Sequence, residues 1–311
     1  MFKQVIDLFD LLDRPSANAA QVRDYLLTEG ECDVEIRRLV GKKGGTDLIR
    51  IVVAGATGRL ANGASPTLGV IGRLGGLGAR PEVIGFVSDG DGALTALAVA
   101  AKLARMKALG DVLPGDVIVT THICPDAPTR EHKPVPFMDS PITQEEANAA
   151  EVIPDLDAIL SIDATKGNRV INHRGFAISP TVKEGYILKT SDALLDIMTQ
   201  VTGRVPRVFP LAQQDITPYG NDLYHLNSIL QPATATAAPV VGIALTTETA
   251  VAGCASGASH LTDVEAAARF TLEVAKAFTA GRCAFYDKEE FGVIQRLYGD
   301  MTHFQTSGAT A

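Results

Sequence analysis

The sequence has little of what membrane, disulfide-bonded or nucleic-acid-binding proteins need. No stretch approaches the roughly 18 consecutive apolar residues of a membrane helix, and the start "MFKQVIDLFDLLDRP" carries acids where a signal peptide would be basic and then apolar. The four cysteines are far apart and form no CxxC pair, so neither a zinc knuckle nor a disulfide framework is indicated. A net charge of −8 argues against nucleic acid, which would need a basic patch. We therefore expect a cytoplasmic protein with reduced thiols that binds neither nucleic acid nor a membrane.

Tryptophan is absent and aromatic residues make up only 5% of the chain, whereas glycine (29) and proline (16) are frequent. This composition favours many tight turns and packing by alanine and valine. A chain of 311 residues can bury a large core. No linker composition divides it, so the sequence predicts a single domain over residues 1–311, in which residues 1–31 form a helical N-terminal lead.

Apolar strand-like runs alternate with helical patterns through most of the chain. The clearest strands are "DVIVTT", "DAILSI" and "PVVGIALTT", and the clearest helices are "GALTALAVAAKLARMKALG", "SDALLDIMTQVTG" and "TDVEAAARFTLEVAKAF". Continuous apolar strands between helices predict an α/β fold with a mostly parallel, mixed sheet covered by helices on both faces. Hairpins are expected around "GKKGGT" and "PTVKEG", a further strand over residues 83–87, and a short helix at "NDLYHLNSIL".

Polar side chains follow four of the predicted strands. They are Ser88, Asp89 and Asp91 after the first, His122 and Asp126 after the second, Asp163 and Thr165 after the third, and Thr246, Thr247 and Glu248 after the fourth. In an open parallel sheet, ligands bind outside the carboxyl ends of the strands. Several buried carboxylates at one edge repel one another unless a cation lies between them, and aspartate with histidine suits zinc or manganese. The sequence therefore predicts a divalent metal site.

Each of these residues also has a purely structural interpretation. Asp89 and Asp91 precede a helix and would serve equally as caps, and His122 would be satisfied by a loop carbonyl. Cys124 is either a ligand or nucleophile beside the acids or a small buried residue. Asp163 is the strongest candidate, because a charge directly after an apolar strand has little structural reason to occur.

Two loops contain candidate substrate-binding residues. His132 lies in the proline-rich segment "TREHKPVPF", which either covers the site or is solvated. Ser256 and His260 belong to "GCASGASH", a small polar segment that is either a substrate-contacting loop or a flexible connector. No GxSxG motif is present to support a serine nucleophile.

The order of several segments is informative as a whole. An acid-containing loop and helix at "SDGDGALTALAVAAKLARM" precede "GDVIVTTHICPD", "DAILSIDAT", "VVGIALTTET" and a helix that opens with "TDVEAAARF". This order, over about residues 52–278, resembles the zinc-dependent aminopeptidase and deacylase superfamily with its phosphorylase/hydrolase-like fold. The whole chain also resembles an uncharacterised bacterial and archaeal family that is known only as a domain of unknown function.

The resemblance to the superfamily implies metal-binding roles for some residues, whereas other ligands of the superfamily have no matching residue in this chain. An aspartate before the first long helix bridges two metals in the superfamily, and Asp89 matches it best, with Asp91 close by. A later strand-end acid binds one metal, and Asp163 matches it. The first histidine ligand is expected near residues 54–58, where none occurs. The paired glutamates are expected where this chain has His122, Cys124 and Asp126, and the last histidine where it has Glu248 and Cys254.

Two functions from different classes follow from these residues. The first is a metal-dependent hydrolase of amide bonds in a small peptide, an acyl amino acid or a related small molecule. In it Asp89, Asp91, His122 and Asp163 hold the metal, and Asp126 or Glu248 is the general base. The second is a metal-free small-molecule-binding or regulatory protein on a degenerate hydrolase fold. An enzyme that depends on Cys124 is a third interpretation, and an exposed sheet edge would permit a homo-oligomer.

Overall fold

The computed structural model describes residues 1–73, 77, 85–131, 133, 136–251 and 259–308. Two helices open the chain, α1 (Phe2–Leu12) and α2 (Ala19–Glu29). Helix α1 buries Val5, Leu8 and Leu12, whose spacing of three and four residues places them on one face. The side chain of Asn18 caps α2 by accepting a hydrogen bond from the backbone N–H of Gln21. The helical character that the sequence predicts for residues 1–31 is confirmed.

In the residues that the structure describes, the main sheet has nine strands. Their bounds are β1 (Asp33–Gly41), β2 (Gly44–Val53), β3 (Leu68–Gly72), β4 (Val117–Ile123), β7 (Ala158–Ala164), β8 (Gly175–Ile178), β9 (Val182–Lys183), β10 (Tyr186–Ile187) and β11 (Val240–Thr246). Two further short strands, β5 (Thr129–Arg130) and β6 (Phe137–Met138), pair only with each other. The order in the main sheet is β1-β2-β4-β3-β7-β11-β9-β10, and β8 also pairs with β11.

The centre of the sheet is parallel and its flanks are antiparallel. Strands β4, β3, β7 and β11 run in one direction. Strand β2 runs against β4, β1 against β2, and β8 and β9 against β11. Because neighbouring parallel strands end at the same edge, β3, β4, β7 and β11 direct the residues that follow them to one side of the molecule.

The remaining helices are α3 (Asp91–Ala108), α4 (Gln144–Glu151), α5 (Asp192–Thr202), α6 (Leu261–Thr279) and α7 (Lys288–Tyr298). Helices α1, α2, α3, α5 and α6 share the larger hydrophobic core with one face of the sheet. On the other face, a second core includes Phe209, Ile216 and Ile229 from the segment before β11. No helix in these residue ranges is long and apolar enough to cross a membrane.

Most of the predicted architecture is confirmed, but one strand was missed and two predicted elements differ from the structure. Strand β3 was missed, because its five residues lie in a glycine-rich stretch with no helix directly before them. Of the strand predicted over residues 83–87, residues 83 and 84 lie outside the described residues, and residues 85–87 are not in a strand. The helix predicted at "NDLYHLNSIL" is absent, since residues 221–230 form turns and bends.

Strand β3 and its neighbours also show at which edge of the sheet residues 54–58 lie. Residues 54–58 follow β2, which runs antiparallel to β4, so they lie at the opposite edge of the sheet from the other strand ends. Arg73 directly follows β3, at the edge of the sheet where the parallel strands end. Residues 54–58 are therefore distant from the edge where the parallel strands end.

Candidate active site

A cavity of about 1040 Å³ opens at the edge where the parallel strands end. Its base contains Asp89, Asp163 and Lys166. Apolar and aromatic side chains form part of its wall, among them Met138, Ile142, Tyr219, Leu223 and Tyr224. Three cationic side chains also line it, Lys42, Lys43 and Arg130. The cavity thus combines an acidic base, an apolar wall and basic groups.

Close backbone packing positions the acids at the base. Asp89 lies in a short 3-10 turn (Ser88–Gly90) that leads directly into α3. Gly92, in the first turn of α3, is so close to the strand ends that an added Cβ would lie 1.8 Å from the carbonyl oxygen of Arg73 and 2.4 Å from that of Ile162. Only glycine permits this approach, which brings Asp89 and Asp91 next to Asp163 near the end of β7.

Asp91 is fully buried and has two partners from other segments. The Nζ atom of Lys166 lies 2.7 Å from its Oδ2, and the Oγ of Ser259 donates to its Oδ1 at 2.6 Å. Burial raises the pKa of Asp91, and the charge and hydrogen bond of Lys166 offset part of that rise. Lys166 is itself 8% exposed, so this is a buried ion pair.

Asp89 and Asp163 form the part of the cluster that faces the cavity. The Oδ2 of Asp163 accepts a hydrogen bond from the Oγ of Ser228 at 2.7 Å, and its Oδ1 accepts one from the backbone N–H of Ala164 at 2.7 Å. The Oδ2 of Asp89 is buried and has no hydrogen-bond partner among the described residues. Burial, and then the charges of Asp163 and Asp91, raise the pKa of Asp89 well above its ordinary value.

His122 belongs to a second buried cluster. Its Nδ1 lies 3.0 Å from Oε1 of Glu151, and the Nε of Arg73 lies 3.0 Å from Oε2 of the same carboxylate. The guanidinium of Arg73 also donates to the side chains of Gln144, at 2.6 Å, and Asn148. Burial alone would raise the pKa of Glu151, but the charge of Arg73 and then the contact with His122 outweigh it, so that the pKa lies below its ordinary value.

Within the described part of the chain, the residues present do not fit the metal centre that the fold implies. A zinc site needs three or more protein ligands with free donor atoms, yet both oxygens of Asp91 already accept hydrogen bonds, one of them from an ammonium group. His122 contacts Glu151 and does not line the cavity with Asp89 and Asp163 in the described part of the chain. No group of three or more His, Cys, Asp or Glu within the described ranges is arranged to hold a metal. That these four residues bind metal remains a prediction.

None of the residues predicted as catalytic is among the described residues that line the cavity. Cys124 is 3% exposed and packs with Val87, Ala127 and Met138. Burial, and then the charge of Asp126, raise the pKa of its thiol to about 11, which keeps the thiol protonated at neutral pH. Asp126 and Glu248 are both exposed, and neither lines the cavity within the described residues.

The residues predicted to bind substrate are only partly described. His132 and Ser256 lie outside the described residues. His260 is the residue before α6, and its Nδ1 lies 3.4 Å from Oδ2 of Asp263. Its charge acts on Asp91 and lowers the pKa of that carboxyl, as a smaller effect than those of Lys166 and Ser259.

The sequence interpretation missed Lys166 in the first cluster, and Arg73 and Glu151 in the second. Lys166 follows Asp163 by three residues in "DATKG", so its place after a strand end was a usable signal. An added Cβ on Gly167 would lie 2.4 Å from the carbonyl oxygens of Thr247 and Thr249, so this glycine holds the Lys166 loop against the segment after β11. Arg73 and Glu151 had no such signal, because their pairing depends on packing between β3 and the end of α4.

Comparisons with known proteins agree with this architecture. The bottromycin maturation enzyme BotP is similar over 90% of this chain and 70% of its own, with 14% identity and a TM-score of 0.53. A glutaminyl cyclase from an Acidobacteriales bacterium is similar over 90% of this chain and 94% of its own, with 12% identity and a TM-score of 0.52. These similarities establish the zinc-aminopeptidase-like fold. A search among curated proteins gives no match.

The sequence itself also matches a family model. The model is described as "Protein of unknown function (DUF1177)" and matches residues 37–308, which is most of the chain. The matched region contains both buried charged clusters and every element from β2 to α7. The chain therefore belongs to the DUF1177 family.

Proposed function

We propose that this protein binds, without a metal, a small molecule that carries a primary ammonium group, and that the ammonium lies between Asp89 and Asp163. One observation carries the proposal: the Oδ2 of Asp89 is buried at the cavity base with no hydrogen-bond partner among the described residues. A buried carboxylate without a partner is costly, so this position favours a ligand that supplies a donor and a positive charge.

The charge balance of the cluster supports a cationic ligand. Three carboxyl groups, Asp89, Asp91 and Asp163, share one ammonium group, that of Lys166. Lys166 contacts Asp91, and the negative charge of Asp163 acts unfavourably on Asp89. Burial, and then the charges of Asp163 and Asp91, raise the pKa of Asp89 well above its ordinary value. A bound ammonium would favour the charged carboxylate and would lower the pKa of Asp89 again.

The rest of the cavity indicates what else the ligand carries. Tyr219, Leu223 and Tyr224 offer an apolar surface near the base, where burial and then Asp163 raise the pKa of Tyr219 to about 12. Lys42 and Arg130 supply positive charge elsewhere on the wall, which suits a carboxylate. An amino acid derivative or a short peptide with a free amino terminus and an apolar side chain matches this arrangement.

Calorimetric titration with a matched pair of peptides tests the proposal. Leucyl-leucine keeps the ammonium group, and its N-acetyl derivative differs in lacking that charge. We expect N-acetylation to weaken binding by at least about tenfold, and Asp89→Asn and Asp163→Asn each to weaken leucyl-leucine binding by about the same factor. Asp155→Asn, a control at an exposed aspartate, should change the affinity by less than about twofold. Equal affinity for the two peptides, or no binding of either, would overturn the proposal.

Metal-dependent amide hydrolysis is the competing function, and the convergence of Asp89, Asp91 and Asp163 favours it. It requires Lys166 to leave Asp91. The two similar structures, a maturation enzyme and a glutaminyl cyclase, give this chain an enzymatic precedent for the fold. Elemental analysis after growth with zinc and manganese decides between the two. About one or two metals per chain that are lost in Asp89→Ala and Asp163→Ala would favour hydrolysis, whereas folded protein without metal in all three samples favours metal-free binding.

A further inference from the structure

A second cavity, of about 300 Å³, shares no lining residue with the acidic one. It lies between the start of β8, the end of α5 and the first turns of α6. Four arginines line it, Arg174, Arg204, Arg207 and Arg269, together with a single acid, Asp263. In a chain whose net charge is −8, such a concentration of guanidinium groups is unexpected.

Two of the four arginines have structural partners. The Nε of Arg269 lies 2.9 Å from Oε1 of Glu265, and its Nη1 donates at 3.1 Å to the carbonyl oxygen of Val201 in the last turn of α5. Arg207 donates to the backbone carbonyl oxygen of Arg174. These contacts tie α6 to α5 and the loop after α5 to the start of β8, so they explain why both residues lie here.

The other two arginines have no comparable role. Within the described residues, no acidic side chain lies within 4 Å of the guanidinium of Arg174 or Arg204, and both residues are exposed. The one lining acid, Asp263, already contacts His260 at 3.4 Å. The cavity therefore has an excess of positive charge that nothing in the described structure neutralises.

The cavity also offers groups that bind oxyanions in other ways. The hydroxyls of Thr202 and Thr262 line it, and Thr262 lies in the first turn of α6, a helix of 19 residues. The amino-terminal end of a helix favours a negative charge. Guanidinium groups match the oxygens of a phosphate in bidentate fashion, which an ammonium group cannot do.

We infer that this cavity binds a phosphate group, either as inorganic phosphate or as the phosphomonoester of a small molecule. Arg174 and Arg204 supply the charge that a dianion needs, while Arg207 and Arg269 form the fixed wall. A volume of about 300 Å³ is at the lower end of small-molecule sites, which suits a phosphate with a short organic group.

Thermal unfolding and calorimetry with phosphate test the inference. Sodium phosphate, glycerol phosphate and sodium sulfate are compared with sodium chloride at equal ionic strength and pH 7.5. We expect phosphate or its monoester to bind with a Kd of about 1 mM or below and to raise the Tm above the chloride control. Arg174→Gln and Arg204→Gln should each weaken binding by about tenfold or more, and Arg204→Lys by less than Arg204→Gln.

Matched variants distinguish this cavity from other basic surfaces. Arg296→Gln, at an exposed position of α7, should leave the affinity unchanged. Lys42→Gln, in the acidic cavity, should do the same. Tighter binding of glycerol phosphate than of phosphate would identify the natural ligand as an organic monoester, and the reverse order would identify free phosphate. An effect that is equal in all variants, that is lost only in Lys42→Gln, or that is absent would overturn the inference.

Discussion

Two buried charged clusters lie near the same edge of the sheet, and they differ in charge balance. The structural cluster, Arg73, Glu151 and His122, surrounds one carboxylate with two basic side chains and excludes solvent, with Arg73 and Glu151 0% exposed. The cavity cluster, Asp89, Asp91, Asp163 and Lys166, sets three carboxyl groups against one ammonium and faces a cavity. The balanced cluster fixes α4 against the sheet. A further positive charge would stabilise the unbalanced cluster, and the proposed ammonium ligand would supply it.

The largest effect is expected from breaking the structural cluster. Glu151→Ala leaves Arg73 buried without its counter-charge, so the free energy of unfolding should fall by about 3–5 kcal/mol, measured by urea denaturation at pH 7. Glu145→Ala, at an exposed position of the same helix, should cost less than about 0.5 kcal/mol. A Glu151→Ala protein that keeps wild-type stability but no longer binds the ligand would show that this cluster is functional. The distinction between a structural cluster and a binding cluster would then be wrong.

The contribution of the structural cluster to the free energy of unfolding should also depend on pH. The pKa of Glu151 is lowered on folding, so its contribution is complete above its ordinary pKa of 4.5 and is lost as the pH falls through the folded value. The stability difference between the wild type and Glu151→Ala should therefore shrink in acid. It should stay constant between pH 6 and pH 8 if only Glu151 titrates.

A smaller effect is expected at Lys166. Lys166→Met leaves Asp91 fully buried with Ser259 as its remaining partner, and the free energy of unfolding should fall by about 2–3 kcal/mol at pH 7. The double variant Asp91→Asn with Lys166→Met should recover at least about 1 kcal/mol of that loss, because no unpaired charge remains. Additive losses in this double-mutant cycle would mean that the two side chains do not form the ion pair.

The smallest effect, and one of opposite sign, is expected at Asp89. Its pKa is raised on folding, so its ionisation destabilises the native state, increasingly as the pH rises above its ordinary value of 3.8. Asp89→Asn should therefore raise the free energy of unfolding by about 1–2 kcal/mol at pH 8, and the gain should vanish near pH 4. If Asp89→Asn were less stable than the wild type at pH 8, Asp89 would instead stabilise the fold, as Glu151 does.

The elements around the cavity show which features could be predicted from sequence patterns. The helix at residues 91–108 and the strands that carry His122 and Asp163 follow from long apolar runs, and all of them are confirmed. The convergence of Asp89, Asp91 and Asp163 follows from the rule for parallel strand ends. That rule places a residue at an edge and says nothing about the direction of its side chain, so His122 was grouped with acids that it does not join at the cavity.

The fold class, the parallel centre of the sheet and the edge at which acids collect could be predicted from the sequence, because they depend on local periodicity and on the direction of strands. The pairing of the buried charges could not, because it depends on tertiary packing. Arg73 and Glu151 are 78 positions apart, and Lys166 and Asp91 are 75 apart. Such pairs form because burial makes an isolated charge costly, and which partner lies within 3 Å depends on how the loops and helices pack, which no local pattern encodes.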